Sequence, residues 1–275
     1  SRIKIMKIIS FNINSIRARP HQLIHIRDSL DPDVIGLQET KVNDPDFPID
    51  VIEEIGYHVE YWGQKGHYGV AILSKNKPIS CKKGFSEDTD EDQKRFIECT
   101  FEENGEHITV MNGYFPQGEN INHESKFPKK RKYYADLKEH ILKAQKVNNN
   151  IVVMGDFNVS PEDIDIGIGE QNMKRWLRDG KTSFQPEERE MWNSIKNLGY
   201  TDSWRHNNPE ESSIYSWFDY RSKMFDDDPK RGLRIDHIMV ANHLMDKVVE
   251  TGIDYKARSM EKPSDHCPIW VDLKL

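Results

Sequence analysis

Cysteine is scarce in the sequence, and its three occurrences follow no recognisable spacing. Cys81, Cys99 and Cys267 are the whole complement in 275 residues, with no C-x-x-C pair and no histidine cluster beside them. Structural zinc sites and disulfide-rich domains both depend on such spacings. We therefore expect neither a zinc site nor a disulfide framework, and no redox chemistry.

Long apolar runs are missing too. No stretch approaches the roughly 18 apolar residues of a membrane-spanning helix, and the opening SRIKIMKIISFN lacks the apolar core and cleavage site of a signal peptide. We expect a cytoplasmic protein that makes no contact with membranes. Met6 opens a strand-like segment, which leaves two interpretations for residues 1–5: an expression-vector remnant, or natural chain.

The composition is that of a folded globular protein. Hydrophobic residues make up 36% and charged residues 31% of the sequence, a balance outside the disordered and membrane classes. No repeat, low-complexity tract or linker divides the chain, and α/β domains commonly reach this length. We expect one domain over residues 6–275.

The net charge is −7, which excludes a surface covered in positive charge. Phosphate binding needs only a local basic face, however. Basic residues do collect in two segments, residues 126–132 and 221–234. Net charge by itself therefore decides little about the partner.

Apolar, β-branched runs recur along the chain with helix-like segments between some of them. The runs are typical of strands and read, in order, KIISFN, DVIGLQE, GVAILS, FIECTFE, HITVMNGYF, NIVVMGDFN, RIDHIMVAN and PIWVDLKL. Helices are predicted at 20–30, 127–147 and 186–198. ENGE between two runs predicts a hairpin, and the opening strand, helix and strand predict a crossover unit. Two packed mixed β-sheets flanked by helices would accommodate both, with long surface loops over 202–231.

Several of these strands end in carboxylates, amides or histidine, which would place polar groups at one rim. The residues concerned are Asn12, Asn14, Glu39, Asn112, Tyr114, Asp156, Asn158, Asp236, Asp265 and His266. Hard oxygen ligands without nearby cysteine suit Mg²⁺ or Mn²⁺. Taken singly, an Asp or Asn at a strand end more often has a structural role in a turn or a helix cap than a functional role. Their recurrence favours an active site with Glu39 as the preferred metal ligand.

Alternation of side chains along an extended chain limits which of these groups can meet. Asp156 and Asn158 lie two residues apart and can share a face. Asp265 and His266 are adjacent and point apart. We therefore expect His266 to pair with a distant carboxylate, for which Asp236 is the candidate.

Distinctive blocks extend from one end of the chain to the other. They are, in order, SFNINSIRARP, IGLQETK, GQKGHYGVAILSK, NGYFPQG, GDFNVSP, DIGIG, SWFDYRS, RGLRIDHI and RSMEKPSDHCP. Together they closely resemble the bacterial exonuclease III family of DNA repair nucleases, within the DNase I-like superfamily, over nearly all of residues 6–275. The resemblance implies an α/β fold, a four-layered α/β sandwich with the active site at the rim where the strand ends converge.

The resemblance also implies the roles of the rim residues. Glu39 would bind the catalytic Mg²⁺, for which Mn²⁺ substitutes, with Asn12 and Asp265 close to it and Asn14 as a weaker candidate. Hydrolysis of a phosphodiester needs a metal ion that offsets the developing negative charge and donors that form hydrogen bonds to the phosphate. It also needs a carboxylate that transfers the proton. Asp156 would be that carboxylate, and would either activate water or protonate the leaving oxygen.

The remaining catalytic roles follow from the same resemblance. Asp236 would orient His266. The groups that would hold or neutralise the scissile phosphate are His266, Asn158 and Tyr114, and Asn12 completes the catalytic set.

DNA contacts are implied for a further group of residues. Trp217 and Phe218 are adjacent aromatics in a polar segment, either packed against the body or stacked on deoxyribose or a base. In the resembling family this loop, with Leu233, shapes the abasic-sugar pocket. The candidates for contacts with the DNA backbone, each otherwise a solvated surface residue, are Arg95, Gln117, Lys126, Arg175, Arg221 and Lys223.

The function expected from the resemblance is a Mg²⁺-dependent nuclease of base excision repair. It would cut the phosphodiester 5′ to abasic sites in double-stranded DNA, and act on DNA 3′ ends as a 3′-to-5′ exonuclease and as a 3′-phosphodiesterase and phosphatase that clears blocked ends. We expect it to act as a monomer.

Two alternatives stay open at this point. A related phosphodiesterase could act on inositol phosphates or lipid head groups, but SWFDYRS and the RARP block argue against it. A DNA-binding relative without catalysis should have lost Glu39, Asp156, Asp236 or His266, and all four are present.

Overall fold

The structure is a computed structural model that describes residues 4–275, and these residues form two six-stranded β-sheets packed face to face. Helices cover the outer faces, which confirms the predicted four layers of helix, sheet, sheet and helix. Of residues 1–5, for which two interpretations were open, residues 1–3 lie outside the described residues, and Ile5 is the first residue of a strand. Within the described chain, no helix is both long enough and apolar enough to cross a membrane.

The strands are numbered along the chain. The first sheet contains, from edge to edge, β11 (Val248–Ile253), β12 (Ile269–Lys274), β1 (Ile5–Asn12), β2 (Val34–Gln38), β4 (Val70–Ser74) and β3 (His58–Trp62). The second sheet contains β5 (Ser80–Lys83), β6 (Phe96–Glu103), β7 (Glu106–Tyr114), β8 (Ile151–Asp156), β10 (Asp236–Ala241) and β9 (Tyr200–Asp202).

Both sheets have the same pattern of strand directions. The pairs β1 with β2 and β7 with β8 are parallel, and the other strand pairs are antiparallel. The predicted hairpin joins β6 to β7, and the predicted crossover joins β1 to β2. In each sheet, the carboxyl ends of the two parallel strands therefore lie side by side at the same end of the sandwich.

The described helices are α1 (Pro20–Leu30), α2 (Ile49–Ile55), α3 (Lys126–Gln145), α4 (Glu170–Asp179), α5 (Pro186–Lys196), α6 (Ser203–Asn207) and α7 (Tyr255–Arg258). The predicted helices correspond to α1, α3 and α5. Proline opens α1 and α5, and a reciprocal capping box between Gln185 and Glu188 also satisfies the first turn of α5. The segment 202–231, predicted as loop, is mostly irregular but contains α6 and a short 3-10 turn.

Side-chain alternation assigns neighbouring strand residues to different layers. On β1, Ile9 and Phe11 pack with Leu23 and Ile26 of α1. Ile8 instead belongs to the larger core that the first sheet shares with the second sheet, α3 and α5. A one-residue shift of β1 would exchange these faces, so burial fixes the register that positions Asn12 at its end.

A buried arginine anchors the segment that leads into β10. Arg234 is 1% exposed; it donates through Nη2 to Asp202 Oδ2 at 2.6 Å and through Nε to Asp165 Oδ1 at 2.7 Å. Burial by itself would raise the pKa of Asp202, but the charge and hydrogen bonds of Arg234, together with His237 and the backbone N–H of Arg205, outweigh burial and lower this pKa to about 2. The network holds the chain immediately before Asp236.

We predict that Asp202 makes the fold sensitive to acid. Because its folded pKa is depressed, ionised Asp202 stabilises the protein above its ordinary pKa of 3.8, and this contribution is lost as the pH falls through about 2. The shift corresponds to about 2 kcal/mol. The free energy of unfolding, measured with urea, should fall between about pH 6 and pH 2 in both proteins. The fall should be larger in wild type than in Asp202→Asn by about 2 kcal/mol. Parallel pH profiles for the two proteins would contradict this role.

Candidate active site

The polar strand ends come together at one rim of the sandwich. Asn12 ends β1, Glu39 follows β2, and Asp156 ends β8. Asp236 begins β10 and lies opposite Asp156 in the antiparallel ladder. Since β12 runs antiparallel to β1, the residues preceding β12, including His266, reach the same edge.

Backbone conformation at this rim is unusual for non-glycine residues. Glu39 and Asn158 have φ of 51° and 53°, in the left-handed region, and such conformations cluster at functional sites. Gly155, with φ of 145°, precedes Asp156, and a Cβ built there would lie 1.9 Å from the carbonyl oxygen of Gly113. A larger residue would push β8 away from β7 and displace Asp156.

The amide of Asn12 connects the two acidic groups at the centre of the site. Its Nδ2 donates to Glu39 Oε1 and to Asp156 Oδ2, both at 2.9 Å. Its Oδ1 accepts from the backbone N–H of Asn14 at 3.0 Å. Asn12 is fully buried, so its geometry is set by these bonds.

One group of side chains at the rim has the geometry for a metal ion. Ligand atoms of Glu39, Asp156 and His266 all lie within 4.8 Å of one another. The carboxylate oxygens of Glu39 and Asp156, with no thiol in the group, fit the preference of Mg²⁺ or Mn²⁺ for hard oxygen ligands.

The other predicted metal residues lie beside this group and are bonded to protein partners. Asp265 accepts from Asn14 Nδ2 at 3.3 Å and from Trp217 Nε1 at 3.0 Å. Lys41 donates to Asn14 Oδ1 at 2.6 Å and lies 3.6 Å from Glu39 Oε2. Sequence reasoning did not find Lys41, which places a positive charge next to the acidic group.

His266 lies between two buried carboxylates. Its Nδ1 is 2.8 Å from Asp236 Oδ2, so the predicted pairing is present, and its Nε2 is 3.5 Å from Asp156 Oδ2. Burial by itself lowers the pKa of His266, but Asp236 and Asp156 outweigh burial and hold the pKa well above its usual value. His266 is therefore a cation next to the catalytic candidate.

Asp156 titrates far from the usual range of a carboxyl. Burial raises its pKa to about 7, with the Asp236 carboxylate adding to the rise and the His266 charge opposing it. A carboxyl of this kind can both accept and donate a proton near neutral pH, which is the property required of a general acid or base.

Tyr114 is the cross-strand partner of Asp156, and Asn158 follows Asp156 by two residues. Burial, followed by the charge of Glu39, raises the pKa of Tyr114 well above its usual value, so its hydroxyl stays protonated as a donor. Asn158 donates one amide hydrogen to the carbonyl of Phe115 at 2.8 Å, and its backbone N–H donates to Asp156 Oδ1 at 3.1 Å. Its second amide hydrogen is left for another acceptor.

Asn112, grouped by sequence with the polar strand ends, lies in the core between the sheets and not at the rim. It is fully buried, donates to the carbonyls of Leu37 and Ala71 at 2.9 and 3.0 Å, and accepts from Gln38 Nε2 at 2.6 Å. Its bonding groups are used in joining the two sheets.

The adjacent aromatics 217 and 218 face opposite ways. Trp217 is partly exposed at the rim, where its indole N–H is bonded to Asp265. Phe218 is fully buried and packs edge-on against Phe225, and Leu233 is 1% exposed. In this structure Phe218 and Leu233 have no surface for direct stacking on DNA, because packing against the body takes both side chains. Their contribution is to support Trp217, whose backbone pairs with that of Leu233.

The residues predicted to contact the DNA backbone differ in how firmly they are held. The Arg95 guanidinium lies over the rings of Tyr68 and Tyr114, 4.5 and 4.7 Å from their centroids, and Lys126 pairs with Glu119 at 2.7 Å. The members of the set exposed at the surface are Gln117, Lys126, Arg175, Arg221 and Lys223.

Comparison with known proteins gives the family. The model of the Endonuclease/Exonuclease/phosphatase family matches residues 9–266. The chain belongs to this family.

Similarity to individual members of the endonuclease/exonuclease/phosphatase family shows to which group within the family the chain belongs. Exodeoxyribonuclease III of Haemophilus influenzae is 54% identical over 269 residues, 98% of this chain and 100% of that relative. A solved 3′-5′ exonuclease (NExo) from Neisseria meningitidis matches with a TM-score of 0.89 at 33% identity, covering 98% of this chain and 100% of that chain. An AP endonuclease from Archaeoglobus fulgidus gives a TM-score of 0.87 at 34% identity with the same coverage. The chain is thus a nuclease of the exonuclease III group, as the resemblance implied.

In this exonuclease III relative, sequence reasoning missed a buried lysine beneath the site. Lys130 is fully buried; it donates to the carbonyl of Asn158 at 2.9 Å, to that of Gln117 at 3.3 Å, and to the carboxylate of Glu188. Within the basic run it occupies the buried face of α3, three residues after Phe127 and four before Tyr134. That helical spacing was the signal that separates it from its surface neighbours.

We predict that Lys130→Met destabilises the protein by about 3–5 kcal/mol, since it leaves the buried Glu188 carboxylate without its partner. Urea unfolding would measure the change. Lys129→Met is the matched control, because Lys129 is exposed on the same helix and its loss should cost less than about 0.5 kcal/mol. Equal stability of the two variants would show that the buried pair does not hold the Asn158 loop.

Proposed function

We propose that this protein is a Mg²⁺-dependent DNA repair nuclease that cleaves the phosphodiester 5′ to abasic sites, and that also acts on DNA 3′ ends as exonuclease, phosphodiesterase and phosphatase. The observation that carries the proposal is the cluster of Glu39, Asp156 and His266, whose ligand atoms lie within 4.8 Å of one another. This cluster combines a hard metal ligand, a proton-handling carboxyl and a cation within reach of one phosphate.

The metal would be held mainly by Glu39, with Asn12, Asp265 and Asn14 around it. A Mg²⁺ or Mn²⁺ ion there supplies positive charge against the developing negative charge of the phosphate. Asn12 sets the direction of the Glu39 carboxylate through its 2.9 Å bond. Lys41, 3.6 Å from Glu39, limits the excess of negative charge while the site is without DNA.

Asp156 carries the proton in the proposed reaction. It either accepts the proton of the attacking water or gives one to the leaving oxygen. Its pKa, raised to about 7 by burial, keeps both protonation states within reach near neutral pH. The bonds from Asn12 and from the Asn158 backbone hold one orientation of the carboxylate.

Three donors would stabilise the phosphate as its charge rises. His266 is held positively charged by Asp236, and the protonated hydroxyl of Tyr114 and the second amide hydrogen of Asn158 add hydrogen bonds. His266 and Asn158 are buried and Tyr114 is partly buried, so the three donors are oriented before DNA binds, which is the condition under which charge stabilisation is most effective.

Trp217 is the side chain best placed to recognise a missing base. Its N–H bond to Asp265 fixes the indole at the rim beside the metal group. An abasic nucleotide lacks the base that would otherwise occupy the space next to the indole, so its sugar can pack against the ring. The exposed basic residues Lys126, Arg175, Arg221 and Lys223 would contact the backbone on either side.

The proposed unit is a monomer, because every group named above comes from one chain. The proposed location is the cytoplasm.

We predict metal-dependent incision of a labelled duplex that contains one synthetic abasic site. With Mg²⁺ or Mn²⁺ the strand should be cut immediately 5′ to the site. EDTA should abolish cutting, and an otherwise identical intact duplex should not be cut internally. Absence of incision, together with hydrolysis of inositol phosphates, would overturn the proposed substrate.

We predict that Asp156→Asn lowers turnover on this duplex by about a hundredfold or more, as expected when a group that transfers a proton is lost. Asp163→Asn is the matched control, because its side chain is 78% exposed and it lies outside the proposed site. Circular dichroism would verify that both variants are folded. Full turnover by folded Asp156→Asn would refute its catalytic role.

A further inference from the structure

Two cysteines far apart in sequence face each other across the edge of the second sheet. Cys81 in β5 and Cys99 in β6 are direct partners in the antiparallel register. Nearby in the same ladder, the N–H of Gly84 donates to the carbonyl of Phe96 at 2.9 Å. The register therefore brings together two thiols that no local motif connects.

The position of this pair in the ladder suits a disulfide. Hydrogen-bonded and non-hydrogen-bonded pairs alternate along antiparallel strands. Counting back from the hydrogen-bonded pair of Gly84 and Phe96, Cys81 and Cys99 form a non-hydrogen-bonded pair. Cα atoms in such pairs are about 4.5 Å apart, inside the range of roughly 4.4–6.8 Å that disulfides span.

The two thiols face each other in the ladder and differ in acidity and in exposure. Hydrogen bonding with Cys99 lowers the pKa of the Cys81 thiol. The same bond, with burial, raises the pKa of Cys99. Cys81 is partly exposed and Cys99 is buried, so the more acidic thiol is also the one that solvent can reach.

The third cysteine lacks these properties. Cys267 is fully buried in a cluster with Tyr215, Phe218 and Phe225. Burial raises its pKa well above the usual value. It is an inert packing residue and serves as an internal reference for the other two.

We propose that Cys81 and Cys99 form a reversible intramolecular disulfide when the protein meets a peroxide. The Cys81 thiolate attacks one oxygen of hydrogen peroxide and breaks the O–O bond, giving a sulfenic acid and hydroxide, which takes up the thiol proton as water. The Cys99 sulfur then attacks the Cys81 sulfur, the S–O bond breaks, and the hydroxyl leaves with the Cys99 proton as a second water. Two thiols lose two electrons in total, and one peroxide gains them.

This site was not foreseen from sequence spacing, because the partners are brought together only by the sheet. The bond would link the edge strand β5 covalently to β6. It would also close residues 82–98 into a loop, and this loop contains Arg95, whose guanidinium packs on Tyr114. In a reducing cytosol the disulfide would be transient, and thiols would restore the pair.

The test is intact-mass measurement of the full chain before and after hydrogen peroxide, without reductant. We expect a loss of about 2 Da, two of the three thiols no longer titrating, and recovery with dithiothreitol. Lys83, Lys94 and Arg95 lie between the two cysteines. Trypsin therefore separates their peptides unless a disulfide joins them, and the joined peptide identifies the bond.

Three variants make the result specific. Cys267→Ser should respond as wild type does. Cys81→Ser should show no loss of mass, and Cys99→Ala should gain oxygen in steps of about 16 Da at Cys81, since the sulfenic acid has no resolving thiol. Gain of oxygen by the wild-type chain without a joined peptide, or a disulfide between two chains, would overturn the proposal.

Discussion

The hydrogen bond from Asn12 to Asp156 joins the two sheets at the point where the active site forms. Asn12 ends a strand of the first sheet and Asp156 ends a strand of the second. The 2.9 Å hydrogen bond between them therefore requires these two strand ends to stay aligned. Deeper in the sandwich, Gln38 donates to Asn112 across the same interface at 2.6 Å. Gly36 permits the close approach, since a Cβ there would lie 2.4 Å from the Met154 side chain. The geometry of the site therefore depends on how the sheets pack.

Buried charge is the second constraint on the structure. A buried ion without a partner is very costly, and the charged groups beneath the rim are accordingly paired: His266 with Asp236, Arg234 with Asp202, and Lys130 with Glu188. These pairs are formed and desolvated before any substrate arrives. The same arrangement that keeps the fold together thus supplies the oriented charges that phosphate chemistry needs.

The elements that the sequence predicted share one physical property. All eight predicted strands lie inside the sheets, where apolar residues recur because both faces are covered. The strands that were not predicted are β3, β5, β9 and β11, which are the edges of the two sheets. Edge strands are short or polar as a protection against further pairing, so they carry little apolar pattern. Likewise α4, which was also missed, buries none of its residues.

By itself the sequence determined the family, the interior strands, the main helices and the polar residues at the strand ends, because all of these follow from local patterns. Only the tertiary structure decided which of those residues meet. It grouped Asp156 and His266 with Glu39 at the rim, and it moved Asn112 into the core. It also buried Phe218 beside a partly exposed Trp217, and it placed Cys81 opposite Cys99. Each of these outcomes depends on strand register and sheet packing between distant parts of the chain, and no local pattern of residues encodes that alignment.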